Sequence, residues 1–464
     1  MDTGKSFFFV GIGGSGMMPL AMILAGRGAA VAGSDRSLDS GRLPAKFEDL
    51  AKRGIALHSQ DGSGIVSADQ IVVASAAVEA TVPDMVAAEA VGAQRMTRAE
   101  LLASLFNASA SRIGVAGTSG KSTVTGMIGW ILHRLGRDPT VMNGAVMKNF
   151  ASPQAPFASA LVGEGAAFVS EVDESDGSIA LYSPEIAVLN NVSLDHKSLE
   201  ELRVLFGDFA AKARVTVVNV GDAEAEALAD TMDRAKLMTV AINASADLRA
   251  ENLSPERYAI SFDLVSRGER LRVRLGVPGR HNVENALAAI GAAIAAGVPR
   301  EEAAKAIEGF KGLKRRFEWV GEANGVAVID DFGHNPEKIA ATLDTLHAHP
   351  GRLLLMFQPH GYGPLKVMRR ELVDMFAAKL DEDDVLVLPD PVYQGGTTSR
   401  EVTSADIVAD VQAAGRDARH IPARDDAAAA LVEMAQSGDR IVLMGARDDT
   451  LSLLAQDMVE KLRR

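Results

Sequence analysis

The chain has 464 residues, 47% hydrophobic and 23% charged, enough for about three soluble globular domains. Its 48 Lys and Arg against 61 Asp and Glu give a formal charge of −13, which disfavours nucleic-acid and anionic-membrane partners. The absence of cysteine excludes disulfide scaffolds, thiolate-ligated zinc, iron–sulfur clusters and cysteine nucleophiles.

From the N-terminus to about residue 107, strand-like runs at Phe7–Gly11, Ala30–Gly33 and Ile71–Ala74 alternate with helical stretches such as Met17–Gly26. The alternation predicts βαβ units and a Rossmann-like domain over residues 1–107. The apolar stretch Phe7–Val10 is too short for a signal-peptide core. The most apolar helix candidate, Ala286–Val298, is too short to span a bilayer, so a cytoplasmic protein is expected. Gly11-Ile12-Gly13-Gly14-Ser15-Gly16 follows the first strand and opens the helix at Met17, and Asp35 follows the second strand. Glycines so spaced let the backbone approach a pyrophosphate at a helix N-terminus. NAD and a UDP-sugar both present a diphosphate, and a ligand-free tight turn has the same spacing.

The second segment, 108–314, follows the small polar stretch Asn107–Ser111 with a strand at Arg112–Ala116. The turn Gly117-Thr118-Ser119-Gly120-Lys121-Ser122-Thr123 then leads into an apolar helix from Ser122 to about Leu135. Amides of such a turn cradle phosphates, Lys121 adds a cation, and the Ser122 hydroxyl can ligate Mg²⁺. Val115 stands where the strict P-loop pattern has its first glycine. Strands are predicted at Ala166–Ser170, Ile186–Leu189 and Val215–Val218, then a hairpin from Tyr258–Val265 and Glu269–Leu275. Helices follow Pro278-Gly279-Arg280 and Pro299. The acidic run Glu171–Asp176 ends one strand, where its carboxylates either hold a metal or form a solvated loop. Asp195-His196 ends the next; His196 either ligates a second cation or makes a loop hydrogen bond.

The third segment, 315–464, alternates again: strands Val326–Ile329, Leu353–Phe357, Val385–Leu388 and Arg440–Met444, and helices Pro336–Leu346, Leu365–Leu380 and Thr450–Leu462. His347 and His349 read as an exposed helix end. The expected architecture is three α/β domains in series.

The order of motifs resembles the Mur ligase family. GxGGxGM stands as Gly11–Met17, GTxGK[ST] as Gly117–Ser122, ExDESDGS as Glu171–Ser178, and NxxxDH as Asn191–His196. PGRHNxxNA, RRF, DD[YF]GHxP and FQPH stand as Pro278–Ala286, Arg315–Phe317, Asp330–Pro336 and Phe357–His360. The resemblance implies a Rossmann-like domain for a UDP-muramic acid substrate, a P-loop ATPase domain, and a Rossmann-like C-terminal domain closing over ATP and an amino acid. The implied reaction phosphorylates the carboxylate of UDP-N-acetylmuramate. The amine of an amino acid, L-alanine foremost, then displaces phosphate from the acyl phosphate, a step of peptidoglycan precursor synthesis. Two anions must meet, so cations must screen them, the task of Lys121 and two Mg²⁺ ions.

Matched motif by motif, Ser122 and Glu171 correspond to ligands of the first Mg²⁺ and His196 to one of the second. Lys121, Glu171, His196 and Arg316 form the implied catalytic set. Gly117, Thr118, Ser119, Gly120, Lys121, Ser122 and Thr123 match phosphate contacts, His281 and Asn285 the adenine pair, Arg315 and Arg316 further phosphate contacts, and Asp331 the ribose contact. Gly11, Gly13, Gly14, Ser15, Gly16 and Met17 match the UDP loop, Ser34 and Asp35 the uridine end, and Ser75 an outer pocket residue. His334 and His360 match positions near the amino acid.

The acceptor side departs from the pattern. Where the family's alanine-adding branch continues FQPH with Arg-Tyr-[ST]-Arg, this chain has Gly361-Tyr362-Gly363-Pro364. Arginine serves there for its bidentate fork, which glycine and proline lack. Lys366, Arg369 or Arg370 are the next cations, or else the acceptor is a different amino acid or a muropeptide. Two other classes stay open: a nicotinamide-dependent oxidoreductase built on Gly11–Gly16 and Asp35, and a non-catalytic nucleotide-binding regulator.

Overall fold

The computed structural model describes residues 6–193, 197–392, 400–446 and 448–463. The chain forms two compact units: one of Met1–Leu253, Ser261–Gly276 and Asn282–Lys311, the other of Ser254–Ile260, Val277–His281 and Gly312–Arg464.

The first unit carries a sheet of β1 (Ser6–Val10), β2 (Ala30–Ser34), β3 (Ala56–His58), β4 (Gln70–Ala74) and β5 (Gln94–Thr97), in the order β3-β2-β1-β4-β5. Every pairing is parallel. Strand order reverses at β1, and such a switch point is where open α/β sheets bind ligands, beyond the carboxyl ends of the strands. The Gly11–Gly16 loop leaves from there.

The second sheet contains β6 (Ser111–Ala116), β7 (Thr140–Met142), β8 (Ala160–Leu161), β9 (Ala167–Glu171), β10 (Ile186–Leu189), β11 (Val215–Asn219), β12 (Leu237–Ile242), β13 (Leu248–Glu256), β14 (Ala259–Ser266) and β15 (Glu269–Leu275). Its order is β15-β14-β13-β12-β11-β10-β6-β9-β7-β8. β6 lies between β9 and β10 and runs parallel to both. Ile186–Leu189 is buried at every residue, the unbroken apolar run of a strand covered on both faces. The expected boundary near residue 107 falls inside this unit: Phe106 packs edge-on against Phe168 and Tyr182, with centroids 5.9 and 5.3 Å away.

The second unit carries β16 (Glu318–Ala323), β17 (Val326–Asp331), β18 (Leu353–Phe357), β19 (Val385–Leu388), β20 (Asp417–His420) and β21 (Arg440–Met444). Their order is β16-β17-β21-β18-β19-β20, with only β16 antiparallel. β17, β21 and β18 all deliver loops at one edge. His347 does not stand at an exposed helix end: its Nε2 lies 2.8 Å from Oδ2 of the buried Asp384, whose Oδ1 accepts from Leu353 N.

Candidate active site

Three neighbouring parallel strands end together. β6 runs into Gly117–Gly120, β9 ends at Glu171, and β10 leads into Asn190-Asn191, so sheet topology alone gathers the P-loop, the acidic run and two amides. The turn is possible because Gly117 and Gly120 adopt φ of 129° and 83°. At Gly120 a Cβ would lie 2.4 Å from Asn285 Oδ1 and 2.8 Å from Asn190 Nδ2, so only glycine fits. Ser119 is clamped by Asn191, which accepts from its N–H at 2.8 Å and donates to its carbonyl at 3.1 Å. Thr118 exchanges bonds with Ser193 through its hydroxyl, at 3.0 Å each way. Asn285 accepts from Asn190 at 2.9 Å and donates to Asn282, holding the start of a second helix, Arg280–Ala295, against the loop.

Lys121 and Ser122 open the helix Lys121–Arg134 and face the acidic run. Lys121 Nζ donates to the Gly117 carbonyl at 2.7 Å and to Glu174 Oε1 and Oε2 at 3.1 and 2.9 Å. Ser122 Oγ donates to Glu171 Oε2 at 2.9 Å, and Glu171 Oε1 accepts from Gly144 N. Asn143 supports this from behind, donating to the Ser122 carbonyl at 2.8 Å. Thr123 is half-buried on the same helix turn. Burial opposes the Asp173 anion, but bonds from Ser175 and the Lys121 and Arg98 charges hold its pKa below the usual carboxylate value. Glu174 is 5% exposed and its engagement of Lys121 was not separable by sequence from the rest of the acidic run. His196 lies outside the described residues.

The first glycine loop is braced internally. Gly13 N donates to Asp35 Oδ2 and Ser37 N to Asp35 Oδ1, both at 2.8 Å. Asp35 thus ties the glycine loop to the turn that follows β2. Ser34 is fully buried, and its Oγ donates to Asp84 Oδ2 at 2.5 Å. Met17 is a core residue whose side chain packs next to Gly14. Gly11, Gly16 and Ser75 are partly exposed, and Gly14 and Ser15 are open to solvent. Arg98, which the sequence did not single out, lies over the loop: a Cβ on Gly16 would meet its side chain at 3.0 Å. The same guanidinium reaches Asp176 at 3.6 Å.

The second unit holds the other predicted residues. Arg315, 6% exposed, donates to the carbonyls of Asp448 and Gly445 at 2.9 and 2.6 Å and faces Asp330 at 3.4 Å. It is therefore a buried brace of this unit. Arg316 stacks on Phe332 at 4.1 Å and remains partly exposed. Asp331 accepts from Phe317 N at 2.8 Å, Gly333 N at 3.0 Å and Thr342 Oγ1 at 2.9 Å, so its carboxylate shapes the Phe332–His334 turn. Burial pushes His281 below its ordinary pKa, leaving a neutral ring at pH 7. His334 and His360 come together edge-on, centroids 5.6 Å apart. Lys366 and Arg369 are engaged elsewhere, by Glu401 and, at 2.7 Å, by Asp410.

Comparison with known proteins adds to this geometry. Family models described as Mur ligase family, catalytic domain; Mur ligase middle domain; and Mur ligase, glutamate ligase domain match residues 6–110, 115–293 and 315–447. A UDP-N-acetylmuramate–L-alanine ligase of Jannaschia sp. is 35% identical over 98% of this chain and 95% of its own length. The enzyme of that name from Streptomyces coelicolor is 36% identical over 95% of each. Among solved structures, a UDP-N-acetylmuramate-alanine ligase from Thermotoga maritima superposes with a TM-score of 0.79 at 24% identity, covering 98% of both chains. A murein peptide ligase from Psychrobacter arcticus gives 0.72 at 24% over 99% of both, a likeness of fold.

Proposed function

The chain belongs to the Mur ligase family, and from that premise we propose that it joins L-alanine to the carboxylate of UDP-N-acetylmuramate at the expense of ATP, in peptidoglycan precursor synthesis. The observation that carries this reading is the pairing of Lys121 with Glu174 and of Ser122 with Glu171 where β6 and β9 end. Such a group serves phosphoryl transfer and has no use in hydride transfer.

A hydroxyl and a carboxylate 2.9 Å apart offer the hard oxygen donors that Mg²⁺ takes, so Ser122 and Glu171 fit one ion. His196 is assigned to a second. Bound magnesium supplies charge neutralisation at the transferring phosphoryl group. The chain's own residues do the rest. The Gly117–Gly120 amides orient the phosphates, Lys121 neutralises the terminal ones, and Asn285 holds the helix start beside the loop. Gly11–Gly16 receives the diphosphate of the sugar nucleotide, with Arg98 as the nearby cation. In the second unit, Arg316 is assigned to the nucleotide phosphates, His281 to the adenine, and His334 and His360 to the acceptor. A substrate carboxylate has no leaving group until phosphorylated; the acyl phosphate then loses phosphate to the acceptor amine.

No helix among the described residues is long and apolar enough to cross a membrane, and a reaction that consumes ATP and a nucleotide sugar belongs in the cytoplasm. The test is phosphate release from ATP with UDP-N-acetylmuramate and each amino acid in turn. L-alanine should stimulate release and yield the amide, by mass. Release that no amino acid stimulates would overturn the reading.

A further inference from the structure

The acidic run Glu171–Asp176 gives each of its carboxylates a different partner. Glu171 accepts from the Ser122 hydroxyl, Asp173 from Ser175, and Glu174 from the Lys121 ammonium. Asp176 accepts from Ser178 N at 2.9 Å through Oδ1 and turns Oδ2 toward Arg98 Nη2 at 3.6 Å. Lys121 and Arg98 thus face one short run, and the Asp173 carboxyl within it feels both charges. Each cation also stands at a glycine loop. Lys121 donates to the Gly117 carbonyl, and Arg98 lies against Gly16, where a Cβ would stand 3.2 Å from Nη1 and 3.4 Å from Nε.

The length of the Arg98–Asp176 contact decides what it does. A charge-assisted bond that fixes a guanidinium is about 2.7–2.9 Å long. At 3.6 Å, Asp176 compensates the charge of Arg98 without fixing its direction. The Arg98 side chain is only 22% exposed, and a guanidinium so withdrawn from water requires a counter-charge. A loose carboxylate partner meets that need and is readily exchanged for an anion that makes short bonds.

We propose that Asp176 is a stand-in anion for the sugar nucleotide: it neutralises Arg98 beside the Gly11–Gly16 loop and yields it to the incoming diphosphate. This rests on the ligase reading above. Asp176 and the diphosphate compete for one guanidinium, so Asp176 stabilises the ligand-free protein and lowers its affinity for the substrate. Sequence order groups Asp176 with the candidate magnesium ligands; its contact with Arg98 assigns it to the other nucleotide. A fixing role, in which Asp176 aims Arg98 at the diphosphate, predicts the opposite sign.

The experiment is calorimetric binding of UDP-N-acetylmuramate to the full chain, for the unaltered protein, Asp176→Asn, Arg98→Ala and the double variant. Asp176→Asn should bind it roughly two- to fivefold more tightly, the worth of a partly exposed ion pair. Arg98→Ala should bind it roughly 10- to 100-fold more weakly, through loss of charge-assisted bonds. Arg98→Lys should recover part of that loss, since it keeps the charge without the fork. In the Arg98→Ala background, Asp176→Asn should lose most of its effect. Affinity for a non-hydrolysable ATP analogue with Mg²⁺ should be unchanged in Arg98→Ala. Thermal unfolding is the second readout: without ligand Asp176→Asn should melt below the unaltered protein, and saturating UDP-N-acetylmuramate should narrow the gap. Unchanged or weaker substrate binding by Asp176→Asn, or an effect of Arg98→Ala on the ATP analogue alone, overturns the proposal. If the unaltered protein binds no UDP-N-acetylmuramate, the ligase reading fails and this inference falls with it.

Discussion

Lys121 Nζ lies 2.9 Å from Glu174 Oε2, so the P-loop ammonium is held by the acidic run before any phosphate is bound. Both partners are largely buried, with side-chain exposures of 18% and 7%. Removing one partner of such a pair leaves an uncompensated charge, whereas removing both can be nearly neutral. Lys121→Ala should therefore abolish ligation and also destabilise the ligand-free protein, by about 2 kcal/mol. Adding Glu174→Gln should return most of the stability and none of the turnover. Denaturant midpoints and phosphate release on the four proteins of the cycle check both halves. Turnover in the double variant would show that Lys121 acts only as a structural partner of Glu174.

Ser122 and Glu171 make a different prediction. If they hold magnesium, Ser122→Ala and Glu171→Gln should each raise the Mg²⁺ concentration for half-maximal activity, by roughly 10- to 100-fold. UDP-N-acetylmuramate binding, assigned to the first sheet, should not change. A titration of activity against Mg²⁺, with substrate binding followed by calorimetry, distinguishes this from general damage. Chelation by EDTA should stop phosphate release and leave the fold intact. An unaltered Mg²⁺ requirement in both variants would remove these residues from the metal site.

At Gly120 the P-loop lies tight against Asn285 of the Arg280–Ala295 helix. Gly120→Ala would place a methyl group 2.4 Å from Asn285 Oδ1 at φ 83°, a conformation that itself costs about 1–2 kcal/mol for a side-chain-bearing residue. Loss of measurable ATP binding is expected, with the first glycine loop unaffected. Wild-type affinity for ATP would mean that the loop can move aside without consequence.

Much of this arrangement was legible because its chemistry coincides with strand ends. Val115-Ala116 before Gly117, and the apolar run before Glu171, announce strands that must terminate where glycine or acid begins, and they do. Short edge strands were not legible. Gln94–Thr97 has one neighbour and no buried residue, and Ala56–His58 is only three residues long, so neither carries an apolar pattern. Side-chain partners also escaped. Ser34 and Asp35 are adjacent in sequence, yet one hydroxyl turns inward to Asp84 and the other side chain braces Gly13. Ser34 closes β2 while Asp35 caps the helix turn that follows, and motif spacing does not encode where either side chain turns.

Arg315 and Arg316 show the same effect with opposite consequences. Adjacent in the motif, both guanidinium groups lie over Phe332, but Arg315, at φ 57°, is buried on the Gly445 and Asp448 carbonyls while Arg316 stays partly exposed. Arg315→Ala should destabilise the second unit by about 3 kcal/mol, because it strands the buried Asp330 as well as two carbonyls. Arg316→Ala should leave the melting temperature nearly unchanged and lower kcat. A thermal scan beside steady-state kinetics on the two variants decides it; equal effects of both on stability would erase the distinction.

Asp330 gives that same unit a pH dependence of known sign. It is fully buried, and burial lifts its carboxyl to about 6, against the opposing pull of Arg315 and the Ser452 hydroxyl. In the unfolded chain a carboxyl of this kind titrates near 3.9. The folded state therefore binds the proton more tightly, and between these values stability rises as pH falls. At pH 5 the gain relative to neutral pH is about 1 kcal/mol, since a tenfold difference in proton affinity between folded and unfolded chain is worth about 1.4 kcal/mol. Other carboxylates titrate in the same range, many with lowered pKa and the opposite sign, so the absolute curve is not diagnostic. The comparison with Asp330→Asn is, because asparagine cannot titrate and everything else cancels. Denaturation monitored at pH 7.5 and pH 5 should find the unaltered protein gaining about 1 kcal/mol on the variant as the pH is lowered. A constant gap between the two proteins would mean that Asp330 keeps one protonation state throughout, with Arg315 holding it charged.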